Sequence, residues 1–256
     1  MTRTLAIARR ELEAYFATAI GWLVLCGFVF LTGLIFALIL TDLSLQAAET
    51  ATNPYGGGGS VSVNEHLLPG FFGTTSVILL LISPAISMRL FSEDLKQRSM
   101  ELLLSSPLSS VEIVLGKYLG AVGFLAVMLA STLHYIALLA WLSTPDWTLV
   151  LANYAATFLM ASAFLAVGML TSAFTRSQLI ALVISFGFLL VLWFLSGIGA
   201  LATGPVGEVL GYVSVLSHSE DLGRGLLHLK DIAYYLTFIG FFLFATHQRV
   251  EAMRWE

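Results

Sequence analysis

Apolar residues along this chain gather into six long runs separated by polar stretches: Ile20–Leu40, Gly70–Met88, Leu119–Trp141, Leu149–Phe174, Leu179–Leu201 and Asp231–Thr246. A helix needs roughly 20 mostly apolar residues to cross a hydrocarbon layer about 30 Å thick. None of the runs holds a lysine or arginine, and their only acid, Asp231, lies at a boundary. They read as helices, because lipid offers no partner to an unpaired peptide group; a closed barrel would show short alternating strands instead. The pattern predicts an all-α polytopic membrane protein, six transmembrane helices forming a single domain over residues 1–256. The first run follows Arg3, Arg9 and Arg10, exceeds a signal-peptide core in length and lacks a clear small-residue cleavage site, so it is expected to stay in place.

The stretches between the runs carry patterns of their own. Before the first, Leu5, Ala8, Leu12 and Tyr15 or Phe16 recur at helical spacing, with Arg9 and Glu13 as an i,i+4 pair. This N-terminal amphipathic helix either lies on the inner membrane surface or packs on the protein's own cytoplasmic loops. Between runs two and three, Ser92–Leu104 predicts a short amphipathic helix with charges on one side and Met100, Leu103 and Leu104 as an apolar cluster, closed by Ser105-Ser106-Pro107. Its apolar tip either meets a partner surface or packs under the bundle. Ser109 and Glu112 have capping-box spacing, with Leu108 and Ile113 as the staple, so a new helix should start there and run into the third span.

Within the spans, Pro84 removes a backbone bond and should bend the second helix, and Gly116 and Gly120 form a small-xxx-small pair that permits close helix approach. Pro205 suits a first helical turn, with Val206, Val209, Leu210 and Val213 following at helical spacing; a second short helix is expected from about Ser219 to Leu229. The glycines Gly56–Gly59 read as a flexible excursion with no ligand site implied.

Composition narrows the class. Of the 256 residues, 58% are hydrophobic and 11% charged, against about 45–50% and about 25% in soluble domains. With a mean hydropathy of +0.90, a water-soluble enzyme is excluded. A net charge of −4 offers no global basic surface for nucleic acid. The cations settle an orientation: with both termini cytoplasmic, Arg3, Arg9, Arg10, Arg89, Lys96, Arg98, Lys117, Arg176, Arg249 and Arg254 lie inside and only Arg224 and Lys230 outside. Trp22, Tyr118, Trp147, Tyr234 and Tyr235 fall near span ends, where amphipathic rings are at home. The single cysteine, Cys26, reads as a small buried hydrophobe.

Catalytic chemistry is missing. Gly116-Lys117 is followed by Tyr118, so there is no phosphate-binding GxxxxGK[ST] loop, and neither HExxH nor GxSxG occurs. The spans offer no aspartate pair for an intramembrane aspartyl protease and no midplane carboxylate for ion coupling. Ser196 with His134 is the one pair open to an intramembrane serine protease, without the expected GxSG. His134, the only ionisable side chain deep in a span, is read as a neutral, hydrogen-bonded histidine. His218, Glu220, Asp221 and His228 lie close together but lack a familiar metal-ligand spacing, and read as solvated side chains. What remains is a pore-forming or conformationally driven subunit that takes its energy from another chain.

Several segments resemble the ABC-2 type transporter permeases, nearest the gliding-motility-type (GldF-like) branch. They are Pro84–Arg89, Ser92-Glu93-Asp94, Met100–Leu104 with Ser106-Pro107, Ile113–Lys117, Thr175–Ala181 and Arg224–Tyr235. The resemblance implies a place in a bacterial plasma (inner) membrane, a second permease subunit, identical or related, and a separate ATPase that holds ATP and Mg. It also implies a coupling helix at roughly Ser92–Pro107, whose Glu93, Asp94, Glu101, Leu102, Leu103, Leu104 and Pro107 would enter a groove on the ATPase. The two short helices between spans five and six would be outer half-helices. Such permeases usually carry Gly-Thr where this chain has Arg98-Ser99. With spans nearly free of charge, the cargo implied is hydrophobic, amphiphilic or glycan-type, moved by export. A non-transporting subunit that transmits force or a signal is the alternative reading.

Overall fold

The computed structural model describes residues 2–52, 63–100, 103, 108–201, 204–223 and 229–254. Glu101, Leu102, Leu104, Pro107, Gly56–Gly59, Arg224 and His228 lie outside that set. Every regular element among the described residues is helical: α1 (Thr2–Ala17), α2 (Ala19–Thr52), α3 (Val63–Ser87), α4 (Arg89–Gln97), α5 (Ser110–Ser131), α6 (Leu133–Leu142), α7 (Trp147–Ala173), α8 (Gln178–Leu201), α9 (Pro205–Val213), α10 (Val215–Gly223) and α11 (Leu229–Met253).

Six stretches are long and apolar enough to cross a membrane: Ala19–Glu49, Leu67–Gln97, Ser110–Leu142, Trp147–Ala173, Gln178–Gly199 and Leu229–Met253. Each overlaps one of the six apolar runs. The helices outlast the runs because an established backbone ladder continues through polar residues; the shortest run thus lies in a 25-residue helix, α11. The third span breaks once. Thr132 separates α5 from α6, its hydroxyl donating to the Leu129 carbonyl at 2.7 Å and lying 2.8 Å from the Tyr154 hydroxyl, which keeps the break free of unpaired polar groups.

Helices α3, α5 and α7 form the centre, and the apolar surfaces of α2, α8 and α11 are largely exposed at the periphery. Close approach at the centre uses small residues. A Cβ added at Gly168 of α7 would overlap the Ser87 hydroxyl of α3. One apolar cluster includes Phe28, Leu79, Phe91, Phe124, Phe164 and Tyr235, and a second gathers Phe36, Leu67, Phe71, Phe72 and Ile136 around the α6 end of the bundle.

The structure corrects several expectations. Cys26 is exposed, because it lies on peripheral α2. Tyr118 and Tyr235 are buried and donate to the carbonyls of Ser162 at 3.0 Å and Val215 at 2.7 Å, so they serve packing between helices. His134 is hydrogen-bonded as expected, through its Nδ1 to the Ser131 carbonyl, but it sits on the exposed side of α6. Ser196 donates to Trp193, so neither member of the serine–histidine pair is engaged by the other. The second short helix starts at Val215, four residues earlier than expected, and is described as far as Gly223.

Candidate coupling site

One end of the bundle is built where α1, α4 and the start of α5 meet. Helix α5 begins with the anticipated capping box: the Glu112 amide donates to the Ser109 hydroxyl at 3.2 Å, and the Ser109 amide donates to the Glu112 carboxylate at 3.0 Å. One turn on, Gly116 and Gly120 leave a furrow, and α1 lies in it. A Cβ on Gly116 would stand 2.6 Å from the Ile7 Cβ, and one on Gly120 would stand 2.5 Å from the Glu11 Cβ. The glycine pair does bring helices together, but its partner is the N-terminal helix. The buried stripe of α1 is accordingly Ile7 and Tyr15 with Leu12 beside them, whereas Leu5 is 62% exposed. The predicted Arg9–Glu13 pair forms on the open face at 2.7 Å.

Within this contact lies a charge cluster that sequence patterning did not reveal. Lys117 Nζ is 2.8 Å from Glu11 Oε1 of α1 and 2.7 Å from Asp94 Oδ2 of α4, with the lysine side chain only 3% exposed. Arg10 Nη2 reaches the same Glu11 oxygen at 3.2 Å, so two cations and two carboxylates balance. A buried ammonium without such partners would be strongly destabilising. Ser99 donates to Asp94 Oδ1 at 2.8 Å, fixing the other carboxylate oxygen. A second tie runs beside it: the Tyr15 hydroxyl donates to the Ile86 carbonyl at 2.9 Å, its ring stacks on Phe124 at 4.6 Å, and the Arg89 guanidinium lies 3.9 Å from the ring centroid. Burial pushes the Tyr15 phenol up, so it remains a donor through the physiological range. The α11 end joins the same region, with Arg254 donating to the Leu108 carbonyl at 3.1 Å and Ser110 bonded to Glu251.

The expected coupling residues fare differently. Helix α4 spans Arg89–Gln97 and is interrupted at Arg98, whose φ of 57° is left-handed; Ser99, Met100 and Leu103 are helical again, so the expected Ser92–Leu104 helix is broken at Arg98. Asp94 faces the bundle. Glu93 is half-buried and accepts from Gln97 Nε2 at 3.3 Å. Met100 is buried in the chain's own core and Leu103 packs against it, so this part of the apolar cluster tucks under the bundle. Glu101, Leu102, Leu104 and Pro107 are outside the described residues.

At the opposite end α9 and α10 fold against α8 and α11. A Cβ on Gly199 would stand 2.8 Å from the Gly211 amide nitrogen. Here His218 is buried, and this corrects its reading as a solvated side chain. Its Nε2–H donates to the Tyr212 carbonyl at 3.0 Å, and its Nδ1 lies 2.6 Å from Asp231 Oδ1, with the Tyr234 ring stacked at 4.0 Å. A carbonyl can only accept, so the Nε2–H donates to Tyr212 and Nδ1 faces the Asp231 carboxylate. Asp231 at a span boundary and His218 thirteen residues before it were the signals available in the sequence. No metal-binding group of three or more such side chains occurs among the described residues.

Beside α10 lies a cavity of about 430 Å³, bounded by Phe72 and Ser76 of α3, Asn153 and Thr157 of α7, Trp193 of α8 and Ser219 of α10. Its described lining carries hydroxyls, an amide and aromatic rings but no titratable side chain.

A family model described as ABC-2 family transporter protein matches residues 5–244, and the chain belongs to that family. It is the membrane-spanning permease component of such a transporter. A search of curated proteins found no match.

Proposed function

We propose that this chain is the permease of an ATP-driven exporter in a bacterial plasma (inner) membrane, with both termini and the α3–α5 connection on the cytoplasmic side. A separate ATPase carries ATP and Mg and binds the stretch from α4 to Pro107, with Glu93, Glu101, Leu102 and Leu104 contributing contacts. A second permease copy completes the path. The observation that carries this reading is the Glu11–Lys117–Asp94 cluster: it locks α1, α4 and α5 together, so a displacement imposed on α4 is passed to the N-terminal helix and to a central span as one body. ATP shifts the permease only in so far as the ATPase pair binds its two states with different affinity. Asp94 acts through that cluster as a positioning residue.

The uncharged, hydroxyl- and aromatic-lined cavity supports a neutral amphiphilic or glycan-type cargo over an inorganic ion. Similarity of the 84–117 region to the gliding-motility-type permeases supports a place in that branch.

The test is ATP hydrolysis by the permease–ATPase complex in proteoliposomes. Glu101→Ala combined with Leu102→Asp is expected to abolish cargo-stimulated hydrolysis while the complex's permease remains folded by thermal melting. Unchanged stimulation contradicts the assignment.

A further inference from the structure

We infer that the tip of α4 meets the ATPase through a basic surface, with Lys96 and Arg98 seated against an acidic patch of that partner. The inference rests on the permease–ATPase reading above and adds the sign of the contact.

The formal sequence of the tip, with Glu93 and Asp94 ahead of Lys96 and Arg98, reads as mixed charge. The fold sorts it. Asp94 is turned inward, where Lys117 and Ser99 occupy its two oxygens. Glu93 is half-buried beneath Gln97. What reaches solvent is Lys96, Gln97 and Arg98 in succession, and among the described residues neither cation has an ion-pair partner.

The backbone adds a second, independent observation. Arg98 closes α4 at φ 57° and ψ 15°, the only positive-φ residue other than glycine among those described. Glycine is the residue that this helix-ending conformation favours, since it has no Cβ to crowd the preceding turn. A cation near a helix C-terminus complements the helix dipole, but Lys96 in the last turn already does so. An arginine held in a left-handed conformation at an exposed junction between two helical stretches therefore points to a use for its guanidinium. A bidentate, always-charged group of this kind matches carboxylates and phosphates. The occupant is an acidic protein surface, because the cluster behind it ties this tip to the element that must receive the ATPase's movement.

The experiment uses the full chain, tagged, in complex with its ATPase. Four permeases are compared: the unaltered chain, Arg98→Gly, the pair Lys96→Glu/Arg98→Glu, and Gln97→Cys on a Cys26→Ser background carrying a photoreactive maleimide. Affinity of the purified ATPase for each permease is measured in detergent across ionic strength, and again in vesicles with and without anionic lipid. The charge reversal is expected to weaken ATPase binding about tenfold or more at low salt and to flatten its salt dependence. Arg98→Gly is expected to melt no lower than the unaltered permease yet bind the ATPase more weakly, which separates contact from folding. Binding of the reversed pair with unaltered affinity and salt dependence overturns the inference. So does a defect confined to anionic vesicles, which would assign the two cations to the bilayer. If Gln97→Cys cross-links to the ATPase while charge reversal is silent, only the basic contact fails; if no cross-link forms, the coupling assignment itself fails.

Discussion

Ile7 of the N-terminal helix sits directly on Gly116 of the third span, so close that a Cβ there would stand 2.6 Å from the isoleucine Cβ. This contact makes α1 part of the bundle. The first prediction follows from comparing three glycines on one helix. Gly116→Ala and Gly120→Ala meet Ile7 and the Glu11 Cβ together with the Ala8 carbonyl, and should destabilise the protein by about 1–3 kcal/mol through overpacking. Gly123→Ala meets only the Leu12 methyls at 3.6 and 3.7 Å and should be neutral or stabilising by up to about 1 kcal/mol. Thermal melts of the purified variants give the order; equal effects at all three positions would contradict the packing of α1.

Lys117 neutralises carboxylates from two other helices. Lys117→Met should lower stability by about 3–5 kcal/mol, since it leaves Asp94 partly buried without a cation and Glu11 with Arg10 alone. Adding Glu11→Gln and Asp94→Asn should restore most of that loss, because the penalty belongs to uncompensated charge. Denaturant or thermal titration of the single and triple variants measures the recovery.

Much of this architecture was legible in the sequence, for identifiable reasons. Lipid imposes a length and an apolar content on each span, so all six were visible. The Ser109–Glu112 capping box is a local device with a fixed spacing, and it forms as read. The Gly116–Gly120 pair announced a close approach, but which helix enters the furrow depends on three-dimensional packing that no periodicity encodes. The stripe of α1 was displaced for the same reason: Leu5 and Ile7 are equally apolar, and only the furrow selects Ile7. Helix α4 ends early because Arg98 turns left-handed, and an arginine carries no breaker signal. The Lys117 cluster joins residues 106 apart in the case of Glu11, a separation at which charge patterning is silent.

Asp231 and His218 provide a third prediction. Asp231→Asn keeps a hydrogen bond to a neutral His218, with the amide donating to Nδ1, whereas Asp231→Leu leaves that ring nitrogen buried and unpaired. The leucine variant should be the less stable by about 1–3 kcal/mol. Thermal melts in detergent decide the order, and a leucine variant as stable as the asparagine one would show that the pair contributes nothing to α10–α11 docking.

Tyr15 gives a dependence on pH with a definite sign. Its phenol is pushed up by burial, so the folded state holds the proton more tightly than the unfolded chain. The stabilisation is fully present below the ordinary phenol value of about 10 and declines as pH rises above it. Tyr15→Phe should lose about 1 kcal/mol at pH 8 and show a shallower alkaline decline than the unaltered protein. Melting both proteins from pH 8 to pH 11 tests this; parallel curves would contradict it.

The central claim is that the α1–α4–α5 junction faces the compartment where ATP is hydrolysed. Labelling of Gln97→Cys on a Cys26→Ser background with a membrane-impermeant maleimide tests it most directly. Gln97 is exposed at the α4 tip, so reaction in inverted membrane vesicles and none in intact cells is the predicted result. Reaction from the outer face of intact cells would contradict it.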